Sequence, residues 1–158
     1  MTIKVGDEVP VGMFTIMGDD GPTGISTADI FNNKKVVLFA VPGAFTPTCA
    51  LAHLPGFVIH ADEIKAKGID TIACMAVNDV FVVDAWAKAS NAQELLMLSD
   101  GNADFAKAMG LVLDGTSFGM GMRSKRFAMM VDNGTVTLLN VDEEGLEGSS
   151  AEAILEKL

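Results

Sequence analysis

The apolar run Lys35-Val36-Val37-Leu38-Phe39-Ala40-Val41 ends at Pro42-Gly43. A short, β-branched run without polar alternation, closed by a Pro-Gly turn, predicts a strand buried on both faces, as parallel strands are. After the turn, Cys49-Ala50-Leu51-Ala52-His53-Leu54 holds good helix formers and no breaker, so a helix is expected to begin there. Thr46 is placed to cap it and Pro47 to be its first residue, where a missing N–H has no intrahelical partner to lose. That register puts Cys49 in the first turn, near unpaired backbone N–H groups and the positive end of the helix dipole. A thiol so placed is biased toward thiolate.

A cysteine is more often a small buried hydrophobe than a nucleophile. Strand, Pro-Gly turn, threonine cap and first-turn cysteine together favour the reactive reading. Thioredoxin-like redox folds carry their cysteine on the same element, usually as C-x-x-C. Here the third residue after Cys49 is Ala52, so no local partner can close a disulfide.

Elsewhere the chain alternates strand and helix signals. Phe14–Met17 reads as an early strand and Gly18–Pro22 as a turn cluster. Ser26 caps a short helix through Phe31. Pro55 removes the bond to the Leu51 carbonyl and predicts a kink in the cysteine helix, which resumes over Ala61–Lys67 and stops at Gly68. Ile69–Val77 is a second apolar strand. Asn78-Asp79 opens a helix to Ala89 with Phe81, Val82, Ala85 and Trp86 on its apolar face. Leu95–Leu98 is a third strand, and Ala103–Met109 a helix ended by Gly110. Phe127–Val131 and Thr135–Val141 flank Asp132-Asn133-Gly134 as a β-hairpin, and Ser149 or Ser150 caps a last helix through Lys157. The pattern predicts one α/β domain over residues 1–158, a mixed β-sheet flanked by helices.

At 158 residues the chain can bury a full core. No apolar run approaches the length of a membrane span and the first residues begin no secretory signal, so a soluble cytoplasmic protein is expected. A net charge of −10 disfavours nucleic acid and anionic membrane surfaces as partners. Two cysteines make no disulfide scaffold and point to a reducing compartment. His53 and His60 lie in no metal spacing with them, so no metal is expected.

Pro42, Thr46 and Cys49 fit the P-x-x-x-T-x-x-C signature of peroxiredoxins. The string Val41–Cys49 followed by His53-Leu54-Pro55-Gly56-Phe57 resembles the type II (five-like) branch. Val77-Asn78-Asp79 with Phe81, Val82 and Trp86, and Arg123-Ser124-Lys125-Arg126-Phe127-Ala128-Met129, match it too. The resemblance runs from about Lys4 to the C-terminus. It implies a thioredoxin-like fold, a homodimer with Phe45 and Pro47 among the interface candidates, and a thiol peroxidase reducing hydrogen peroxide and alkyl hydroperoxides through a sulfenic acid on Cys49. No bound cofactor is implied; glutathione or a dithiol protein is the reducing co-substrate. The alternative function is a redox-sensing interaction protein, oxidised at Cys49 without rapid turnover.

Thiolate formation alone cannot supply a fast peroxidase. A thiol with a pKa near 8.5 is already a few per cent ionised at neutral pH, so full ionisation gains only about 30-fold, and nucleophilicity falls with pKa. The rest must come from stabilising charge on the peroxide oxygens as the O–O bond breaks. Thr46 can offer its hydroxyl, and the backbone N–H groups of Thr48 and Cys49 can donate. Pro42 stiffens the loop that would shield the sulfur. No Lys or Arg lies between Lys35 and Lys65, so the cation must come from far along the chain. The resemblance implies Arg126, immediately before a late strand, with Arg123 as its competitor. His53, one turn after Cys49, could polarise the thiol or line the pocket, and the resemblance implies lining. Phe45 and Phe118 could form an apolar collar.

Reduction of the sulfenic acid has two routes. Plant type II members carry a second cysteine at the spacing of Cys74, proposed to resolve. Other five-like members resolve near the C-terminus, where this chain has Glu147-Gly148-Ser149-Ser150. Cys74 lies in mid-strand with no alternation around it, which predicts burial, and a disulfide needs Cα atoms within about 7 Å. A one-cysteine cycle with glutathione or glutaredoxin is therefore favoured, thioredoxin being the reductant of the other route.

Overall fold

The computed structural model describes residues 2–158, the side chains of Cys49 and Ala50 excepted. Nine strands and five α-helices are assigned among the described residues. In chain order they are β1 (Met13–Gly18), β2 (Gly21–Ser26), α1 (Thr27–Phe31), β3 (Lys35–Val41), α2 (Leu54–Ala66), β4 (Thr71–Ala76), α3 (Val80–Ala89), β5 (Leu96–Ser99), α4 (Asp104–Met109), β6 (Val112–Asp114), β7 (Met122–Ser124), β8 (Arg126–Asp132), β9 (Thr135–Asp142) and α5 (Ala151–Leu155). Seven strands form one mixed sheet in the order β2-β1-β5-β4-β3-β8-β9, while β6 and β7 pair separately.

The apolar run is the sheet's interior. β3 pairs in parallel with β4 and antiparallel with β8, and Val36 to Val41 are each fully buried. Because successive side chains point to opposite faces, Val37, Phe39 and Val41 join one core layer with Leu54, Phe57, Ile64 and Trp86, beneath α2 and α3. Val36, Leu38 and Ala40 join the other, with Phe14, Ile30, Phe31, Phe105 and Met109. Both faces are covered by helices, which is why the strand shows no alternation. Phe39 stacks on Phe57 with ring centroids 4.0 Å apart at 7°. Phe39→Ala should cost about 3–5 kcal/mol, read as a drop in the urea midpoint at unchanged slope; a loss below about 1 kcal/mol would contradict this packing.

Capping and turn residues act as their chemistry demands. Ser26 and Asp29 form a reciprocal capping box on α1. Asp79 caps α3 and Ser150 caps α5 through their side-chain oxygens. Asn133 and Gly134 both have positive φ, 47° and 83°, which is the two-residue hairpin turn between β8 and β9. Gly110 closes α4 in the left-handed conformation.

Several expectations are corrected. Asp19 and Asp20 form the expected turn, but Gly21 and Pro22, read as part of the same cluster, open the strand Gly21–Ser26. It is the sheet's edge and pairs with β1 alone, so Pro22 and two glycines are tolerated where no second neighbour needs them. Phe81 lies off the buried face of α3, 65% exposed, and that face is Val80, Val83, Trp86 and Ala87. The predicted kink at Pro55 is instead a π-helical turn, Cys49–His53, directly ahead of α2. A wider turn accommodates Pro55, which has no N–H to donate to the carbonyl four residues back and whose ring would crowd that oxygen in an α-helix. The short strands β6 and β7 had no usable periodicity.

Candidate active site

The geometry of β3 and β8 decides what meets at the Pro42 turn. Ala40 pairs with Phe127, so the residue before Phe127 arrives where β3 ends and the loop to the π turn begins. That residue is Arg126. It is buried and its Nη1 donates to His53 Nδ1 at 2.9 Å. His53 closes the π turn that Cys49 opens. A cation absent from the local sequence is thus delivered to the cysteine turn by strand pairing.

His53 is fully buried, between Phe39 and Phe57 at ring-centroid distances of 5.0 and 5.7 Å. Its other nitrogen, Nε2, lies 2.9 Å from the Ser149 carbonyl oxygen. A guanidinium can only donate and a carbonyl can only accept. Nδ1 is therefore the bare acceptor and Nε2 carries the proton, which makes the ring neutral. Neither nitrogen is available to a thiol, so polarisation of Cys49 by this imidazole is not offered by the arrangement. Burial, then the charge of Arg126, push the His53 pKa down to about 4, against partial opposition from the Ser149 carbonyl and from Asp142.

In an unfolded chain this histidine titrates near 6.5, so between about pH 6.5 and 4 the unfolded state binds the extra proton. His53 therefore takes nothing from stability above pH 6.5 and weakens the fold progressively as pH falls to about 4, by about 3 kcal/mol in all. The urea midpoint of His53→Asn should fall less steeply than that of the native protein over this window, and parallel pH profiles would refute the assignment.

The Pro42–Thr48 loop is held from several sides. The Ala44 N–H donates to Asn78 Oδ1 at 2.9 Å, and the Ser99 hydroxyl donates to the Asn78 carbonyl at 2.6 Å. Thr46 Oγ1 donates to the Gly43 carbonyl at 2.7 Å, which spends its proton and leaves the oxygen as an acceptor. Phe45 adopts φ 65°, a conformation unusual for a bulky residue, and its ring lies 6.5 Å from Trp86. Gly43 sits in a crowded place: a Cβ there would lie 3.1 Å from Thr46 Cγ2, 3.2 Å from Arg123 Nη1 and 3.3 Å from Met120 Cε, so these side chains would have to give way.

Arg123 and Arg126 are thereby separated in place. Arg123 is half-buried over Gly43, its Nε donating to the Met120 carbonyl, while Arg126 reaches the π turn. Pro42 and Thr48 are half-buried. Phe45 and Phe118 are 53% and 82% exposed, so they stand out from the loops rather than close over a pocket. Cys74 is buried in mid-β4, opposite Phe39 and in the layer beneath α2. The thiolate expectation for Cys49 falls on a side chain outside the described residues. Among the described residues no group of three or more His, Cys, Asp or Glu side chains could hold a metal ion, and no helix is long and apolar enough to cross a membrane.

Three supporting residues escaped the sequence reading. Asn78 stood in a quoted motif, but nothing local marked its side chain as a loop anchor. Asp142 accepts from Ser149 Oγ at 2.6 Å and from the backbone N–H groups of Glu147, Gly148 and Ser149. Burial would raise its pKa, and these bonds outweigh burial and hold it low. Of the two serines offered as the last helix's cap, Ser150 takes that role, and Ser149 is fully buried against His53.

Comparison with known proteins places this arrangement. Residues 4–155 match the Redoxin family. The chain is 45% identical over 159 residues to peroxiredoxin-2D of Arabidopsis thaliana, covering 99% of this chain and 98% of that protein. Its fold superposes with a TM-score of 0.96 on reduced Prx3 of Vibrio vulnificus in complex with H2O2, at 50% identity over 99% of both chains. The Plasmodium falciparum antioxidant protein, a 1-Cys peroxiredoxin, superposes with a TM-score of 0.91 at 31% identity over 98% of both chains. The mixed sheet is thus a thioredoxin fold. From the P-x-x-x-T-x-x-C turn to the arginine that opens β8, the whole length of the chain agrees with one assignment, and it belongs to the type II peroxiredoxins, thiol peroxidases that need no prosthetic cofactor.

Proposed function

We propose that this peroxiredoxin reduces hydrogen peroxide and small alkyl hydroperoxides at Cys49 and is regenerated by glutathione or glutaredoxin. The observation that carries the reading is the buried Arg126 guanidinium brought to the π turn that Cys49 opens. The Cys49 thiolate attacks one peroxide oxygen; an S–O bond forms, the O–O bond breaks, and the other oxygen leaves with the electron pair and takes a proton as water or alcohol. Arg126 stabilises the charge spreading over both oxygens. Thr46 Oγ1, its own proton committed to Gly43, accepts the bond from the peroxide O–H and orients it. The N–H groups of Thr48 and Cys49 add donors, and Pro42 keeps the loop stiff. Arg123 supports the loop at Gly43.

The sulfenic acid then condenses with glutathione, releasing water and leaving a mixed disulfide, which a second thiol reduces. Burial of Cys74 beneath α2 favours this cycle over internal resolution. Cys74→Ser should keep at least about half the native turnover with glutathione and glutaredoxin, because Cys49 alone carries the chemistry. Mass spectrometry after one equivalent of peroxide separates the routes. A glutathione adduct on Cys49 supports this cycle; a Cys49–Cys74 disulfide reduced by thioredoxin would replace it, and oxidation once per molecule without turnover would make the protein a sensor.

A homodimer in the cytoplasm completes the reading. Phe45 on the Pro42–Thr48 loop, Phe118, and Met122 at the start of β7 are exposed apolar side chains, suited to covering by a second copy. Sedimentation as a monomer at micromolar concentration would remove that part.

A further inference from the structure

A chain with a net charge of −10 repels anions, so a site that takes one must show it a local cation. Glutathione is such an anion, with two carboxylates against one ammonium group, whereas hydrogen peroxide is uncharged. The reducing half of the cycle therefore has an electrostatic demand that the oxidising half lacks.

Two guanidinium groups stand by the cysteine turn, and they differ in how far they are already engaged. Arg126 is buried and donates to His53. Arg123 is half-buried, and among the described residues its one acceptor is the Met120 carbonyl, which takes Nε–H at 2.9 Å. The ion pairs of the described residues engage Lys4, His60, Lys88 and Lys125, so no carboxylate among them draws on the charge of Arg123.

Its place is fixed from both ends of the side chain. The backbone of Arg123 pairs with Leu113 in the β6–β7 ladder, and the Nε bond holds the guanidinium over Gly43. A Cβ at Gly43 would lie 3.2 Å from Nη1 and 3.1 Å from Thr46 Cγ2. The guanidinium and Thr46 thus flank one point of the loop, and Thr46 is three residues ahead of Cys49. A fork so held gives up little freedom on binding, and the Nη1 and Nη2 protons match the two oxygens of a carboxylate.

We propose that Arg123 is a specificity-determining residue of the reducing step: its guanidinium takes a carboxylate of glutathione and brings the tripeptide's thiol to the sulfenic acid on Cys49. The glutathione thiolate attacks the Cys49 sulfur; the S–S bond forms and the S–O bond breaks. The oxygen leaves with the electron pair and is protonated to water, so glutathione is oxidised and the sulfenic acid reduced to one mixed disulfide. This rests on the reading that glutathione regenerates Cys49.

Glutathione diethyl ester separates recognition from reactivity, because it keeps the thiol and lacks both free carboxylates. The protein, oxidised with one equivalent of hydrogen peroxide, is mixed with either thiol, and the mixed disulfide is followed by quenched-flow mass spectrometry. Per thiolate, glutathione should react with the native protein at least about 10-fold faster than the diester at low salt. Arg123→Gln should bring the ratio of the two rate constants to within about 2-fold of unity. Whatever the arginine does for the loop or the sulfur enters both rates and cancels in that ratio. Salt reads the same contact without a substitution, and decides should the variant not fold. Raising ionic strength from about 0.05 to 0.5 M should shrink the native preference at least about 3-fold.

Equal rates from the two thiols in the native protein overturn the proposal and leave the glutathione cycle standing. So does a preference that Arg123→Gln or salt leaves unchanged. A native sulfenic acid that forms no adduct with either thiol would instead remove the glutathione cycle itself, and the role of Arg123 with it.

Discussion

Cys49→Ser should lower peroxide reduction by at least about 1,000-fold while the chain still folds. A serine hydroxyl is essentially un-ionised at neutral pH, and oxygen cannot take up the peroxide oxygen as sulfur does in forming a sulfenic acid. In the proposed mechanism the environment does not compensate, because Thr46, Arg126 and the backbone donors act chiefly on charge that develops as a nucleophile attacks. Stopped-flow oxidation and steady-state consumption with glutathione and glutaredoxin both read this directly. Residual turnover within about 10-fold of native would place the chemistry elsewhere and leave Cys74 as the candidate.

Arg126→Gln should lower the rate of oxidation by peroxide by about 100-fold or more, the scale seen when one preorganised donor to a developing oxyanion is lost. Its effect on alkylation by iodoacetamide is bounded differently. If the cation acted only by ionising the thiol, its removal would cost about the 30-fold in thiolate that separates a fully ionised sulfur from an ordinary thiol at neutral pH. The gap between the two reactions measures what the guanidinium does for the O–O bond beyond ionising sulfur. Identical losses in the two reactions would falsify the assignment of transition-state charge to Arg126. The same variant leaves the buried His53 Nδ1 without its donor, a stability cost of about 1–3 kcal/mol, so rates must be compared at a temperature where both proteins are folded.

Elements whose information is local were legible in the chain. The apolar run through Val41 reads as a doubly covered strand because burial on both faces removes alternation. Asn133-Gly134 reads as a hairpin turn because few residue pairs accept two positive φ angles. Ser26 and Asp79 start helices through side-chain oxygens they carry themselves, and Gly110 stops one by adopting the left-handed conformation. Where neighbours decide, the reading failed. β2 is a strand only because β1 supplies its ladder. Phe81 sits at helical spacing from Ala85, yet both are exposed and the face of α3 that meets the sheet excludes them. Proline at 55 announced an irregularity, but whether it became a kink or a π turn depended on what packs around His53.

The division is the same at the site. Position at the end of an apolar strand, a proline-rich turn and a threonine three residues ahead mark Cys49 as the candidate nucleophile by sequence alone, because strand end, turn and helix start are local features. Antiparallel pairing of β8 with β3 brought Arg126 to His53 in the turn that Cys49 opens, while Arg123 lies over Gly43, a matter of register across more than eighty residues. Tertiary structure alone also chose the state of His53. A buried ring has two nitrogens and several protonation patterns, and only the simultaneous presence of a donor-only guanidinium on one side and an acceptor-only carbonyl on the other leaves a single one.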